Sequence, residues 1–157
     1  MTTFTHLDDQ GDARMVDVSA KDITVREAVA SATVVICAEV AGMLRDGSVP
    51  KGDALAVARI AGICATKRTA DLIPLCHPIA IHGVDVELEV LDDRVQITTT
   101  VRTADRTGVE MEALTAAAVA GLALIDMVKG VDRSAHIKDV VLLAKRGGRT
   151  GEWTRES

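Results

Sequence analysis

The stretch Val84-Asp-Val-Glu-Leu-Glu-Val90-Leu-Asp-Asp-Arg94-Val-Gln-Ile-Thr-Thr-Thr-Val-Arg102 decides the fold. Apolar side chains occupy every second position up to Val90, and Val95, Ile97, Thr99 and Val101 continue the alternation with one threonine. An alternation with period two indicates strands that bury one face. The segment between them, Leu91-Asp-Asp-Arg94, is typical of a turn. The stretch therefore predicts an antiparallel hairpin.

Working outward from the hairpin, the chain alternates between strand and helix patterns. The segment 25–37 is ambiguous, because its Ala and Glu favour helix whereas its Val and Thr favour strand, and we interpret it as a strand. The predicted elements are, in chain order, a short strand over 15–18, a strand over 25–37, helices over 38–45 and 53–68, the hairpin, a helix over 109–129 and a strand over 137–145. From residue 25 this is the split βαβ order. It predicts an α+β fold, a ferredoxin-like antiparallel sheet with helices packed on one face.

Length and composition indicate one domain. The chain has 157 residues, of which 48% are hydrophobic, and this suffices for one substantial core. We predict a flexible N-terminal segment over 1–14, a single domain over 15–148 and a flexible C-terminal tail over 149–157. The two aromatic residues, Phe4 and Trp153, fall in these tails, so the core must be aliphatic. The run Val140–Leu143 is apolar on both faces of its strand. We therefore expect both faces to be buried, one of them by another subunit, for example.

Charge and cysteine content narrow the function classes. The net charge of −5 provides no general attraction to nucleic acid or to an anionic membrane, and neither is expected as a partner. Three cysteines without CxxC spacing indicate buried free thiols in a reducing compartment, and the N-terminus lacks a signal-peptide pattern. The histidines have no metal-ligand spacing, so no tight metal site is predicted. A cytoplasmic protein is expected.

A possible acid/base pair lies at the end of the long helix. Asp126 and Lys129 are three positions apart, and residues so spaced share a helix face. They can act as a catalytic pair, or they can form an ordinary surface ion pair. Glu112 lies on nearly the same face, but 14 positions of helix separate it from Asp126 by roughly 21 Å. One ligand that touches both must be long, or the two contacts must come from different subunits.

Three further patterns suit a small anionic ligand. His77 follows Cys76 between two prolines, which suits either a ligand contact or a core histidine bonded to a carbonyl; Cys76 itself is more consistent with a packed thiol than with a nucleophile. Lys51 stands before a helix start, where phosphate can bind. Lys145, Arg146 and Arg149 surround two glycines and can hold a polyphosphate, although each of these cations can instead be a solvated surface residue.

At these residues the sequence resembles a known family. The matching blocks cover nearly the whole chain: Met15–Ala20, Lys51–Asp53, Ala58–Ile63, Lys67–Thr69, Asp71–Pro78, Gly108–Thr115 and Leu143–Gly148. They look like the cyclic pyranopterin monophosphate synthases, the C proteins of molybdenum cofactor biosynthesis (MoaC family). Long ungapped blocks of this kind are far more specific than any of the four patterns alone.

The resemblance implies a lyase that acts on 3′,8-cyclo-7,8-dihydroguanosine 5′-triphosphate and releases pyrophosphate. It implies a homohexamer, a trimer of dimers, with active sites between subunits. No cofactor is implied, although Mg²⁺ can accompany the triphosphate. The catalytic residues carried over are Asp126, Lys129 and Lys51, and the substrate-binding residues are Leu75, Cys76, His77, Met111 and Glu112, with Lys145 and Arg149 matching less firmly.

The alternative is a module of the same fold without catalysis. RNA-binding modules of this fold use aromatic side chains on the sheet, whereas this hairpin presents Asp85, Glu87 and Glu89, so RNA binding is disfavoured. A non-catalytic nucleotide-sensing module stays open at this point. The fold by itself does not choose between an enzyme and a sensor.

Overall fold

A computed structural model describes residues 6–156. Five antiparallel strands form one sheet in the order β2-β3-β1-β4-β5, with two helices packed against it. The strands are β1 (Thr24–Val35), β2 (Gly83–Val90), β3 (Arg94–Asp105), β4 (His136–Arg146) and β5 (Trp153–Thr154). The helices are α1 (Ala38–Asp46), α2 (Ala54–Thr66), α3 (Thr69–Leu72) and α4 (Glu110–Val128). The predicted α+β class, the hairpin and the strand interpretation of 25–37 are confirmed.

Small side chains bring α4 close to the sheet. β1 turns Ala28, Ala30, Ala32 and Val34 toward the core, and all four are buried. On α4 four of the eight buried positions are alanine, and a fifth is Gly121, where an added Cβ would lie 3.0 Å from Ile137. This packing explains why α4 is apolar enough for a membrane span by length and composition, while half of its residues are buried inside the domain. We therefore interpret α4 as the core helix.

Two expectations about local structure are wrong. Residues Met15–Val18 form a loop rather than a strand, and the Val16 carbonyl accepts a hydrogen bond from a histidine side chain instead of from a neighbouring strand. The three cysteines are free thiols, but Cys37 and Cys64 are exposed and Cys76 is only half-buried. Cys64 lies on the face of α2 that points away from the sheet, beside the exposed Ile60.

The ends of the chain extend the fold in two places. Trp153 and Thr154 pair with the edge of β4, which makes them strand residues within the predicted tail. Leu7 and Ala13 form an isolated bridge in the predicted N-terminal segment. Phe4 lies outside the described residues.

A chain of ion pairs crosses four strands at one end of the sheet. Arg102 of β3 bonds Asp85 of β2 and Glu27 of β1 at 2.7 and 2.8 Å, and Glu27 also bonds Arg146 of β4 at 2.9 Å. These contacts hold the end of β4 against the start of β1. The turn that follows, Gly147-Gly148, is thereby fixed next to β1.

Candidate active site

One group of charged side chains lies at the C-terminal end of α4. Lys129 Nζ lies 2.7 Å from one carboxylate oxygen of Asp126, and Lys51 Nζ lies 3.1 Å from the other. Lys51 also donates a hydrogen bond of 2.8 Å to the Asp126 carbonyl. The structure thus brings together the three residues that were predicted as catalytic. All three side chains are about half-exposed, so a ligand can reach them.

Local sequence explains how Lys51 reaches a helix 75 residues further along the chain. Gly52 has φ of +109°, a conformation that side chains other than glycine rarely adopt, and it turns the chain into α2. Asp53 then caps α2, as predicted, because its carboxylate accepts a 2.9 Å hydrogen bond from the Ala56 amide. Since α2 packs along α4, the turn before α2 lies beside the end of α4.

The two lysines fix the charge of the aspartate. The pKa of Asp126 is lowered, first by the hydrogen bond from Lys129 and then by the one from Lys51. At neutral pH Asp126 is therefore a carboxylate, and it enters any reaction as a proton acceptor or as a stabilising negative charge.

A second group surrounds a cavity of about 500 Å³ at the N-terminal end of α4. Leu75, Cys76, His77 and Met111 all line it, so four predicted substrate-binding residues are brought together. His77 Nε2 donates a 2.7 Å hydrogen bond to the Val16 carbonyl. Nε2 therefore carries a proton, and the bond fixes the direction of the ring. His77 is thus bonded to a carbonyl, one of the two predicted possibilities, and it also lines the cavity, while a ligand contact stays a prediction.

Glu112 is the most unusual side chain of this group. It is only 2% exposed, and one of its oxygens, Oε2, makes no hydrogen bond to any described residue. The other oxygen, Oε1, lies 3.6 Å from the Cys76 sulfur, which donates to it. Burial is the main cause that raises the pKa of Glu112, and burial followed by the charge of Glu112 raises the pKa of Cys76 to about 11. Cys76 is thus a neutral thiol, in agreement with a packed rather than a nucleophilic cysteine.

The remaining predicted cations lie near this second group. Lys145 Nζ lies 3.7 Å from Glu110, which lines the same cavity, and it also donates to Thr150. Arg149 lines a neighbouring cavity. Glu110, Lys21 and Arg26 were not among the predicted site residues. Lys21 and Arg26 closely follow the matching block that ends at Ala20, and their positive charge at that place is a signal that the sequence does contain.

The buried carboxyl gives a prediction about stability. We expect Glu112→Gln to raise the free energy of unfolding at pH 8 by about 1 kcal/mol, which is about 3 °C in Tm for a chain of this size. A raised pKa means that the folded state holds this proton more firmly, so wild-type stability is lost as pH rises above the ordinary value of 4.5. The amide of the variant does not titrate, so the difference in free energy of unfolding between the variant and the wild type should disappear near pH 4.

Thermal unfolding of both proteins between pH 4 and pH 8 measures this difference. Glu87→Gln, which changes an exposed carboxylate in the middle of β2, is the matched control and should behave as the wild type does. A Tm difference between Glu112→Gln and wild type that does not change with pH would contradict the raised pKa.

The two groups do not meet within one chain. Glu112 and Asp126 lie near opposite ends of α4, about 21 Å apart at 1.5 Å per residue. Among residues 6–156 no cluster of three or more His, Cys, Asp or Glu side chains could hold a metal ion. Fold and site together define a small α+β protein with an exposed lysine–carboxylate group and a separate, mainly apolar cavity. Both features suit a nucleotide-like ligand.

Comparisons with known proteins identify the family. Residues 15–148 match the model of the MoaC family, and the chain belongs to that family. A relative from Streptomyces coelicolor is 61% identical over 97% of this chain and 89% of its own length. A relative from Nocardioides sp. is 58% identical over 97% and 95%, and one from Peptoclostridium acidaminophilum is 49% identical over 98% of each chain. All three relatives carry the name cyclic pyranopterin monophosphate synthase.

Proposed function

We propose that this protein is a cyclic pyranopterin monophosphate synthase of molybdenum cofactor biosynthesis. Its substrate would be 3′,8-cyclo-7,8-dihydroguanosine 5′-triphosphate, which is rearranged to cyclic pyranopterin monophosphate with release of pyrophosphate. The reaction class would be that of a phosphorus–oxygen lyase, and the site of action the cytoplasm. The high identity to relatives of that name over nearly the full chain supports the proposal.

The observation that carries the chemistry is the Asp126 carboxylate held between two ammonium groups at 2.7 and 3.1 Å. Opening and reclosing the ring system requires proton transfers, and a carboxylate with a lowered pKa serves as the acceptor. Lys129 and Lys51 can donate a proton or neutralise charge that develops on the substrate. Glu112, with its pKa shifted in the opposite direction, is the group better suited to carry a proton.

We further propose that two subunits build each active site within a homohexamer, a trimer of dimers. A guanosine-derived triphosphate is long, yet the roughly 21 Å between Glu112 and Asp126 is more than one compact reaction centre needs. Exposed apolar side chains on the helices, among them Ile60 at 61% and Leu122 at 58%, support a surface that another subunit covers. No cofactor is proposed, and Mg²⁺ bound to the triphosphate stays a prediction.

A nucleotide-sensing module without catalysis is the competing function. Incubation of the purified protein with the cyclised nucleotide separates the two, because only a synthase releases pyrophosphate. We expect stoichiometric pyrophosphate and pterin product over many turnovers. Saturable binding of the nucleotide without pyrophosphate would establish the sensor and exclude the enzyme.

A further inference from the structure

We propose that Asp132 is a positioning residue, whose buried carboxylate joins the end of α4 to the start of α1 and thereby holds Lys51 against Asp126. The inference rests on the proposed function, because it concerns the group that would carry the chemistry. It adds to that function a residue that would not touch the substrate and would act only through the placement of Lys51.

Asp132 is a buried charge that the proposed mechanism does not use. It is 6% exposed, and Glu112 is the only other buried acidic residue among those that the structure describes. Its Oδ1 accepts hydrogen bonds of 2.9 and 2.6 Å from the Ser134 amide and hydroxyl, and its Oδ2 accepts one of 2.7 Å from the Cys37 amide. The Ser134 hydroxyl is the first cause that lowers the pKa of Asp132, and burial opposes it. Asp132 is therefore a carboxylate at neutral pH.

The bond from the Cys37 amide connects two distant parts of the chain. Asp132 lies in the connection between α4 and β4, and its own amide donates a 3.0 Å hydrogen bond to the Val128 carbonyl at the end of α4. Cys37 lies 95 residues earlier and is the N-cap residue of α1. One carboxylate oxygen thus joins the end of the helix that carries Asp126 to the start of α1.

The helix α1 transmits this connection to Lys51. Its buried side chains fix it in the core, and they are Val40, Ala41 and Leu44. At its end the amides of Gly47 and Ser48 both donate to the Met43 carbonyl. Val49 is only 7% exposed, so the chain is anchored in the core again two residues before Lys51. The segment from the start of α1 to Lys51 should therefore move as one unit.

These contacts form a closed ring. It runs from Asp132 to Cys37, along α1 to Lys51, from the Lys51 ammonium to Asp126, and back along α4 to Asp132. Breaking the bond between Asp132 and Cys37 should let the α1 segment shift, and this shift moves Lys51 relative to Asp126. A misplacement of about 1 Å can lower the rate of an enzyme about a hundredfold.

Two substitutions break this bond from opposite sides. Asp132→Asn keeps one oxygen for Ser134, but its amide nitrogen cannot accept a hydrogen bond from the Cys37 amide. Cys37→Pro removes the N–H itself, and the φ of −77° and ψ of 161° at Cys37 are angles that proline adopts. We expect each variant to lower kcat for pyrophosphate release about tenfold and to change KM by no more than about twofold, because the predicted substrate-binding cavity lies at the other end of α4. The double variant should lose no more than either single variant, since all three lack the same bond.

Two alanine variants are the matched controls. Ser134→Ala removes one hydrogen bond to the Asp132 carboxylate but keeps the bond from the Cys37 amide. Cys37→Ala removes the exposed thiol but keeps the amide. Both should keep kcat within about twofold of wild type.

A carbon-13 NMR titration of the Asp126 carboxyl carbon measures the position of Lys51 without turnover. Lys129 first and then Lys51 lower the pKa of Asp126, so a weaker contact from Lys51 should raise this pKa. We expect the rise in Asp132→Asn and in Cys37→Pro, and no change in Ser134→Ala or Cys37→Ala. A loss of stability alone would not produce this pattern.

Wild-type kcat in a folded Asp132→Asn or Cys37→Pro protein would overturn the positioning role. A fall in kcat with an unchanged pKa of Asp126 would also overturn it, and so would an equal fall in the two alanine controls. If the pKa of Asp126 follows the expected pattern but the wild type releases no pyrophosphate from the cyclised nucleotide, Asp132 positions Lys51 as inferred and the proposed function fails.

Discussion

Asp126→Asn should abolish most turnover of the cyclised nucleotide, by about a thousandfold in kcat, which is within the range for loss of a general base. The amide keeps the shape of the side chain but cannot accept a proton or balance the two ammonium groups at 2.7 and 3.1 Å. Because the carboxylate is more than half-exposed, the fold should not change. Lys129→Ala should cause a similar loss of turnover, because it removes one of the two ammonium groups that contact the Asp126 carboxylate.

Steady-state pyrophosphate release and circular dichroism together measure this. Asp92→Asn is the matched control, because Asp92 forms an exposed ion pair of equal length with Arg45 at the hairpin turn. Its turnover should stay within about twofold of wild type. Near-normal turnover in a folded Asp126→Asn protein would remove this carboxylate from the chemistry.

Lys51→Ala should lower both kcat and substrate affinity. Lys51 contacts two oxygens of Asp126, and its half-exposed ammonium can also face a phosphate oxygen of the substrate. We expect kcat/KM to be about a hundredfold lower than that of wild type at low salt. At high salt the difference should be smaller, because salt also weakens the contact between Lys51 and the phosphate in the wild type. Kinetics from about 20 mM to about 500 mM salt measure this effect.

Arg45→Ala serves as the control for removal of an ion-paired cation, and its kcat/KM should follow the wild type at every salt concentration. A Lys51→Ala protein that matches the wild type throughout would reduce Lys51 to a surface residue that only pairs with Asp126.

The sequence predicted the fold because the signals for its elements are local. The alternation from Val84 to Val101 needs only the period of a strand, and the cap at Asp53 needs only one side chain and the amide of Ala56. The loop at Met15–Val18 was mistaken for a strand because its partner is distant in sequence. The Val16 carbonyl is bound by His77, 61 residues away, and no local pattern reveals this contact.

The residues of the candidate site could be predicted from the sequence, but their arrangement in space could be predicted only in part. The i,i+3 spacing placed Lys129 beside Asp126, whereas the contact from Lys51 depends on how α2 packs along α4. Burial of Glu112 and the cavity lined by Arg149 likewise come from tertiary packing. The same helix spacing did predict that Glu112 and Asp126 do not share one small site, and the structure places them near opposite ends of α4.

We expect two subunits to complete each active site. Glu112→Ala and Asp126→Asn chains, each inactive alone, should be mixed in equal amounts under conditions that exchange subunits. Random pairing makes half of the interfaces mixed, and each mixed interface holds one site with an intact Glu112 and an intact Asp126, so activity should return to about a quarter of wild type. No recovery, with subunit exchange verified by mass spectrometry, would contradict a shared site and assign both residues to one subunit.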